Sequence, residues 1–185
     1  MTAFASLWLP ILVATIAVFV ASSILNAALP WHKNDYPRVP DEDAFRRAVG
    51  PMSIPRGEYM VPRAQSVAEM KAPEFLAKFD EGPVMLLTVL PNRWTGMARP
   101  LTLWAVYCLF ISTLAGCVTG SILPPGADMH SIFHYSAIVA FSCYAVGLWQ
   151  NSIWYGRPWK TTLKATIDGI IYAAVTGGIF IWLWP

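Results

Sequence analysis

Long uncharged stretches dominate the pattern of apolar and polar positions along the chain. Positions 1–31, 101–127 and 129–155 contain no Asp, Glu, Lys or Arg. Because an α-helix needs about 20 apolar residues to cross about 30 Å of hydrocarbon, the pattern predicts four transmembrane helices. We place them at 7–29, 101–121, 131–153 and 165–184. The composition agrees, since 13% of the residues are charged, compared with about 25% in soluble domains.

The segment between the first two predicted spans differs in character. It carries ten of the thirteen Lys and Arg residues. Asp41 is a suitable N-cap for a short helix that ends at Gly50, and the apolar runs at 57–62 and 82–91 predict two strands. We expect helical turns within 66–80, interrupted by Pro73. The predicted fold class is therefore an all-α membrane protein, a four-transmembrane-helix bundle (1–30 and 100–185) with a small mixed α/β insert (31–99).

The basic residues also predict an orientation. Those outside the insert, Arg157, Lys160 and Lys164, all lie in the loop before the fourth span. Because Lys and Arg concentrate on the cytoplasmic side of inner membranes, we expect 31–99 and 154–164 to be cytosolic and both termini periplasmic. Tryptophan prefers the headgroup layer, and the nine tryptophans divide between the predicted outer ends (Trp8, Trp182, Trp184) and the inner ends (Trp31, Trp94, Trp104, Trp149, Trp154, Trp159).

Small residues recur at intervals of four within the spans. Close backbone contact at such rows holds membrane helices together. The residues that we predict to pack helices are Gly116, Gly120, Gly169, Ala173 and Gly177. A second row in the fourth span, Ala174 and Gly178, is available to a further helix, including one from another chain.

Ionisable residues are absent from the middle of every predicted span, so we expect no transport pathway. Asp168 is predicted in the first turn of the fourth helix, where Lys164 would form an interfacial ion pair with it. His32 is predicted on the opposite membrane face from the other two histidines and is set aside. The sequence lacks a phosphate-binding loop, a nucleophile elbow, HExxH and paired CxxC motifs, which favours a non-enzymatic protein.

His130 and His134 share one face of the third predicted span and follow Asp128. Three interpretations stay open. Two imidazoles and a carboxylate are suitable ligands for a metal ion, and one neutral imidazole is a suitable axial ligand for haem or a chlorophyll-type pigment. Alternatively, Asp128 caps the helix and the histidines lie in the headgroup layer, in which case no cofactor is bound.

Four segments, LPWHKNDYPRVPDED, PPGAD, SIWYGRPW and WLWP, resemble small uncharacterised bacterial inner-membrane proteins with four predicted transmembrane helices. The resemblance implies a bacterial membrane location and supplies no reaction, cofactor or catalytic residue.

The expected function is that of an accessory, assembly or stabilising subunit of a larger inner-membrane complex. Its partners would be membrane lipids and other integral membrane subunits, and not nucleic acid, because the basic residues of the insert are interleaved with acidic ones. Trp154, Arg157 and Trp159 are the predicted interface and lipid contacts. The alternative is a redox or photosynthetic subunit that binds haem, pigment or metal at His130 and His134. A third class, a lipid- or solute-handling protein, requires a groove between helices.

Overall fold

The computed structural model describes residues 1–93 and 96–185. Helix accounts for 69% of the chain, and the predicted class of four candidate membrane helices with a small sheet is confirmed. The elements in chain order are α1 (Trp8–Ser23), α2 (Glu42–Val49), β1 (Gly57–Val61), α3 (Val67–Met70), α4 (Pro73–Glu81), β2 (Met85–Val89), α5 (Ala98–Ile122), α6 (Met129–Tyr144), α7 (Trp149–Tyr155) and α8 (Trp159–Leu183).

The chain divides into two compact units. The bundle unit comprises Met1–Tyr36 and Gly96–Pro185, and the insert unit is the segment between them. Trp94, predicted at the inner interface, lies outside the described residues.

Four helical segments of the bundle unit are long and apolar enough to cross a membrane: Trp8–Ala28, Ala98–Ile122, Met129–Tyr155 and Trp159–Leu183. The first is α1 extended by a π-helical turn, Ile24–Ala28. The third is α6 and α7 joined by a 3₁₀ turn, Val146–Leu148. The predicted start of the fourth span, at position 165, was too late. Apolar runs mark the hydrocarbon core, whereas the hydrogen-bonded helix extends beyond that core and begins at Trp159.

Two clusters of buried side chains hold the bundle unit together. The first contains Val18, Cys108, Ile111, Ala140, Tyr144, Tyr172 and Ala173. The second contains Leu7, Ile11, Ala14, Ala115, Ile132 and Phe180. Of the buried hydroxyls between the helices, those of Ser112 and Thr119 have no partner among the described residues. Others bond to their own helix backbone, as when Ser136 Oγ donates to the Ile132 carbonyl at 2.6 Å. Such bonds satisfy the hydroxyls without a partner helix.

Small residues lie where helix surfaces meet. A Cβ placed on Gly120 would be 2.7 Å from Leu7 Cδ1, and one on Gly116 would be 3.0 Å from Ile11 Cδ1. On α8, a Cβ on Gly177 would be 2.6 Å from Phe133 Cδ2, and one on Gly169 would be 2.6 Å from the Ala145 Cβ. Ala173, between them, is buried. The neighbouring row differs, since Ala174 is exposed and a Cβ on Gly178 would meet nothing within 4 Å.

The insert unit contains α2, α3, α4 and the two strands, which pair antiparallel with Tyr59 opposite Leu87. The predicted strands are confirmed, as is the Asp41 cap, whose Oδ1 accepts from the Ala44 N–H at 2.8 Å. The predicted helical turns are interrupted at Pro73 as expected, since α3 ends at Met70 and Pro73 begins α4, at a first helical position that needs no N–H donor. Among the described residues of this unit, Phe75 is the one large hydrophobic side chain that is buried.

Candidate functional site

The predicted histidine pair lies on an outer face of the bundle unit. The rings of His130 and His134 stack with centroids 6.1 Å apart and planes inclined by 25°. Both residues are exposed. They line a groove of about 460 Å³ between α6 and α8, whose remaining wall is apolar and includes Phe133, Phe141 and Ile170. The pair therefore borders a groove that a flat apolar ligand can enter.

Asp128 acts as the N-cap of α6. Its Oδ1 accepts a hydrogen bond of 2.9 Å from the Ser131 N–H, and this bond is the main cause that lowers the pKa of the carboxyl from its ordinary value. Within the described residues, no three His, Cys, Asp or Glu side chains are grouped closely enough to hold a metal ion. The structure thus does not bring Asp128 together with the two imidazoles as a set of ligands.

A second group of polar side chains lies at the opposite end of the bundle unit, which we call the basic end because it holds Arg157 and Lys164. There, Lys164 Nζ donates to Asp35 Oδ1 at 2.5 Å and to the Trp31 carbonyl at 2.7 Å. His32 Nδ1 lies 2.6 Å from Asp35 Oδ2. The turn that follows α1 is thereby fastened to α8.

The same imidazole reaches further into the bundle. His32 Nε2 lies 2.9 Å from Asp168 Oδ2, although the two are not aligned as a hydrogen bond. Both ring nitrogens of His32 thus face carboxylates. We call Lys164, Asp35, His32 and Asp168 the polar chain. With Lys164 and His32 donating to it, Asp35 has a pKa below its ordinary value.

The structure corrects the interpretation of Asp168. It was predicted in the first helical turn, paired with Lys164. In fact α8 begins at Trp159, nine residues before Asp168, and Asp168 is buried. Lys164 pairs with Asp35 instead, and the partner of Asp168 is His32, the histidine that sequence reasoning set aside. The sequence offered one clue, a His and an Asp three residues apart directly after a membrane span.

Aromatic rings pack beside the polar chain. Tyr144 and Tyr172 have ring centroids 5.3 Å apart, and Trp104 lies 6.0 Å from Tyr144 and 6.1 Å from Tyr172. Trp104 Nε1 donates to Ser22 Oγ at 2.7 Å, which ties α5 to α1. These rings therefore fix the four long helices against one another near the basic end.

Three members of the polar chain, His32, Asp35 and Asp168, line a pocket of about 650 Å³ together with the aromatic rings. We call it the basic-end pocket. Three buried polar atoms of its wall have no hydrogen-bond partner among the described residues, namely His32 Nε2 and two oxygens, the Tyr144 hydroxyl and Asp168 Oδ1. The Trp31 indole approaches the Asp168 carboxyl and the Cys108 thiol approaches the Tyr144 hydroxyl, in each case without an aligned hydrogen bond. Buried polar groups in native proteins are generally paired, so these two oxygens point to a ligand or to water.

The loop after α7 contributes to this pocket. Gly156 ends α7 with φ +65°, a left-handed conformation that favours glycine. Trp154 and Trp159, the predicted lipid contacts, are 76% and 52% exposed. Arg157 is half-buried and lines the pocket, so of the three predicted loop residues it alone is placed to reach a ligand there.

No family model matches the chain, and no curated protein or solved structure matches it either. The resemblance to small bacterial inner-membrane proteins therefore stays a prediction, and function is inferred from the geometry of the described residues.

Proposed function

We propose that this multi-pass membrane protein is a non-enzymatic accessory, assembly or stabilising subunit of a larger bacterial inner-membrane complex. The observation that supports this is the surface of the insert unit. Its one buried large hydrophobic is Phe75 among the described residues, whereas Leu76, Leu86 and Leu90 are 50%, 50% and 68% exposed. Apolar surface of this kind, outside the candidate spans, is typical of a docking site.

The small sheet strengthens the proposal. A two-stranded sheet is marginally stable on its own in water, and here Met60 lies directly opposite Leu86 on one face, with both side chains exposed. A second protein that covers this face would bury both side chains and stabilise the strand pair. The insert unit would then be the docking element and the four long helices the membrane anchor.

Gentle extraction tests the proposal. After mild solubilisation, native-gel mass spectrometry is expected to find partner subunits in fixed stoichiometry with this chain. Leu86→Glu places a charge on the exposed face of the sheet and should release those partners. Gln65→Glu, a matched charge at another exposed position of the insert, should retain them. Recovery of the wild-type chain as a folded monomer without partners would contradict the proposal.

We further propose that both termini are periplasmic and that 31–99 and 154–164 are cytosolic. The distribution of Lys and Arg supports this orientation. Reporter tags fused to each end in turn should be reached by membrane-impermeant reagents from outside, and a tag in the insert should be protected. Cytosolic termini would reverse the orientation and place the docking unit in the periplasm.

A second candidate function is haem or pigment binding at His130 and His134. Its support is the apolar groove that the two stacked imidazoles border, since a neutral imidazole is a common axial ligand. The detergent-purified protein would then show a Soret or far-red band. Replacing both histidines by Ala should abolish the band, whereas His32→Gln, at the other end of the bundle, should leave it. A colourless wild-type preparation would contradict this candidate.

A further inference from the structure

The basic-end pocket has the features of a built binding site. It lies between the ends of the four long helices, and its volume of about 650 Å³ falls within the range usual for small-molecule sites. It is separate from the groove that holds His130 and His134, and nothing in the proposed subunit role uses it. Two buried oxygens in its wall, on Tyr144 and Asp168, have no partner among the described residues.

The charges of the polar chain indicate which kind of hydrogen-bonding group fits the two oxygens. Both oxygens of Asp35 are engaged, one by Lys164 and one by His32. Asp168 has one oxygen near His32 and the other without a partner. An ionised carboxylate only accepts hydrogen bonds. The open position on Asp168 therefore calls for a donor, and a positively charged donor makes the strongest such bond.

The aromatic residues favour the same kind of ligand. Tyr144, Tyr172 and Trp104 line the pocket together with Asp168, and aromatic faces attract organic cations. A primary ammonium group carries three N–H donors, and the two oxygens without a partner are acceptors in the wall of this one pocket. A quaternary ammonium has no N–H and would leave both oxygens unpaired.

A metal ion fits this pocket less well. Within the part of the chain that the structure describes, no group of three His, Cys, Asp or Glu side chains is arranged to hold one. Arg157 also lines the pocket, and its guanidinium is suited to a phosphate or carboxylate. A ligand with an ammonium group close to an anionic group would therefore satisfy both the open carboxylate and the arginine.

We propose that the basic-end pocket binds a primary ammonium group carried next to a phosphate, the chemistry of phosphoethanolamine. Asp168 and Tyr144 hold the ammonium group, and Arg157 holds the phosphate. Two sources offer this chemistry, namely the headgroup of an ethanolamine phospholipid and soluble phosphoethanolamine. The pocket lies at the ends of the candidate spans, where both sources have access.

Native mass spectrometry of the delipidated full-length protein in detergent tests the proposal. Phosphatidylethanolamine, phosphatidylcholine, phosphatidylglycerol, soluble phosphoethanolamine and soluble phosphocholine are added separately, and dissociation constants are taken from the adduct fractions. Either ethanolamine compound is expected to bind with an affinity at least about tenfold higher than that of its choline counterpart, because the choline compound lacks one charge-assisted hydrogen bond. Binding of the lipid alone identifies the membrane as the source, and binding of the soluble compound identifies a free ligand. Equal binding of choline compounds, tighter binding of phosphatidylglycerol, or no binding at all would overturn the proposal.

Two variants with matched controls locate the site. Asp168→Asn keeps the shape and removes the charge, and should weaken binding about tenfold or more. Tyr144→Phe removes one hydroxyl and should weaken it about threefold or more. The controls are Asp128→Asn, where an amide also caps the helix, and Tyr135→Phe, nearer the other end of α6; both should bind as the wild type does.

Unchanged affinity in both pocket variants would overturn the assignment of the site. Circular dichroism and size-exclusion chromatography show whether each variant is folded. If Asp168→Asn does not fold, the affinity of Tyr144→Phe and the preference of the wild type for ethanolamine over choline still decide the outcome.

Discussion

The contact between Gly169 and Ala145 gives the sharpest test of the packing. A Cβ on Gly169 would lie 2.6 Å from the Ala145 Cβ, whereas ordinary contacts begin at 3.4 Å. The obstructing atom is the Cβ of Ala145, the residue that ends α6. Because alanine has no side-chain rotamers, no rotamer change can relieve the overlap. Gly169→Ala therefore requires α8 and the end of α6 to separate by most of an ångström.

The expected loss of stability combines two opposing terms. Overpacking a well-packed interior costs about 2–3 kcal/mol in a case without rotamer relief. Replacing a helical Gly by Ala returns about 1 kcal/mol of helix propensity. The net destabilisation is about 1–2 kcal/mol, which corresponds to a fall in Tm of about 3–6 °C for a chain of this size.

Thermal unfolding in detergent, followed by circular dichroism, measures this effect. Gly178→Ala is the matched control on the same helix, because its Cβ would meet nothing within 4 Å, and it should be neutral or slightly stabilising. The double variant Gly169→Ala/Ala145→Gly should recover most of the lost stability, since the remaining Ala145 backbone atoms lie at 3.4 Å. If Gly169→Ala unfolds at the same temperature as Gly178→Ala, the close helix contact does not exist.

Three further predictions concern polar contacts. The pKa of Asp35 is held below its ordinary value of 3.8, so the ionised carboxylate stabilises the fold above that pH, and this contribution is lost as the pH falls through the lower folded-state pKa. The free energy of unfolding of Asp35→Asn should therefore fall less steeply below pH 3.8 than that of the wild type. Parallel pH dependences would contradict this. Trp104→Phe loses the 2.7 Å bond to Ser22 and should lower the free energy of unfolding by about 1 kcal/mol, whereas Trp182→Phe, at a 72% exposed position, should change it little in the same denaturation series. Asp128→Ala removes the cap of α6 and should lower the Tm relative to Asp128→Asn, which retains a capping oxygen; equal melting temperatures would show that the cap contributes nothing.

Much of the local structure could be predicted because its causes are local. The four candidate spans follow from the length of the uncharged runs. The helix after Asp41 follows from the side chain of Asp41, which accepts a hydrogen bond from the N–H of Ala44 three residues later. The strand pair follows from short apolar runs bounded by Gly and Pro. The break between α3 and α4 follows from Pro73, which begins α4 because proline is tolerated at a first helical position.

The pocket could not be predicted in this way. His32 and Asp168 are unremarkable in sequence, each near the end of a predicted span, and the assumption that the fourth helix begins at 165 placed Asp168 at the surface. Tyr144 and Tyr172 have no special spacing between them. Only the packing of α1, α5, α6 and α8 brings these side chains to one cavity.

Local patterns were enough to predict four apolar helices and a polar insert with two strands between the first and the second of them, because helix length, capping and strand pairing depend on neighbouring residues. The tertiary structure decided that Lys164 pairs with Asp35, which is 129 residues away, and that Asp168 and Tyr144 each keep an oxygen without a partner in the described structure. Such contacts depend on which helices become neighbours and how each is rotated about its axis. Close packing at positions such as Gly169 and Gly177 fixes the neighbours and the rotation of each helix, and it involves residues far apart in the sequence.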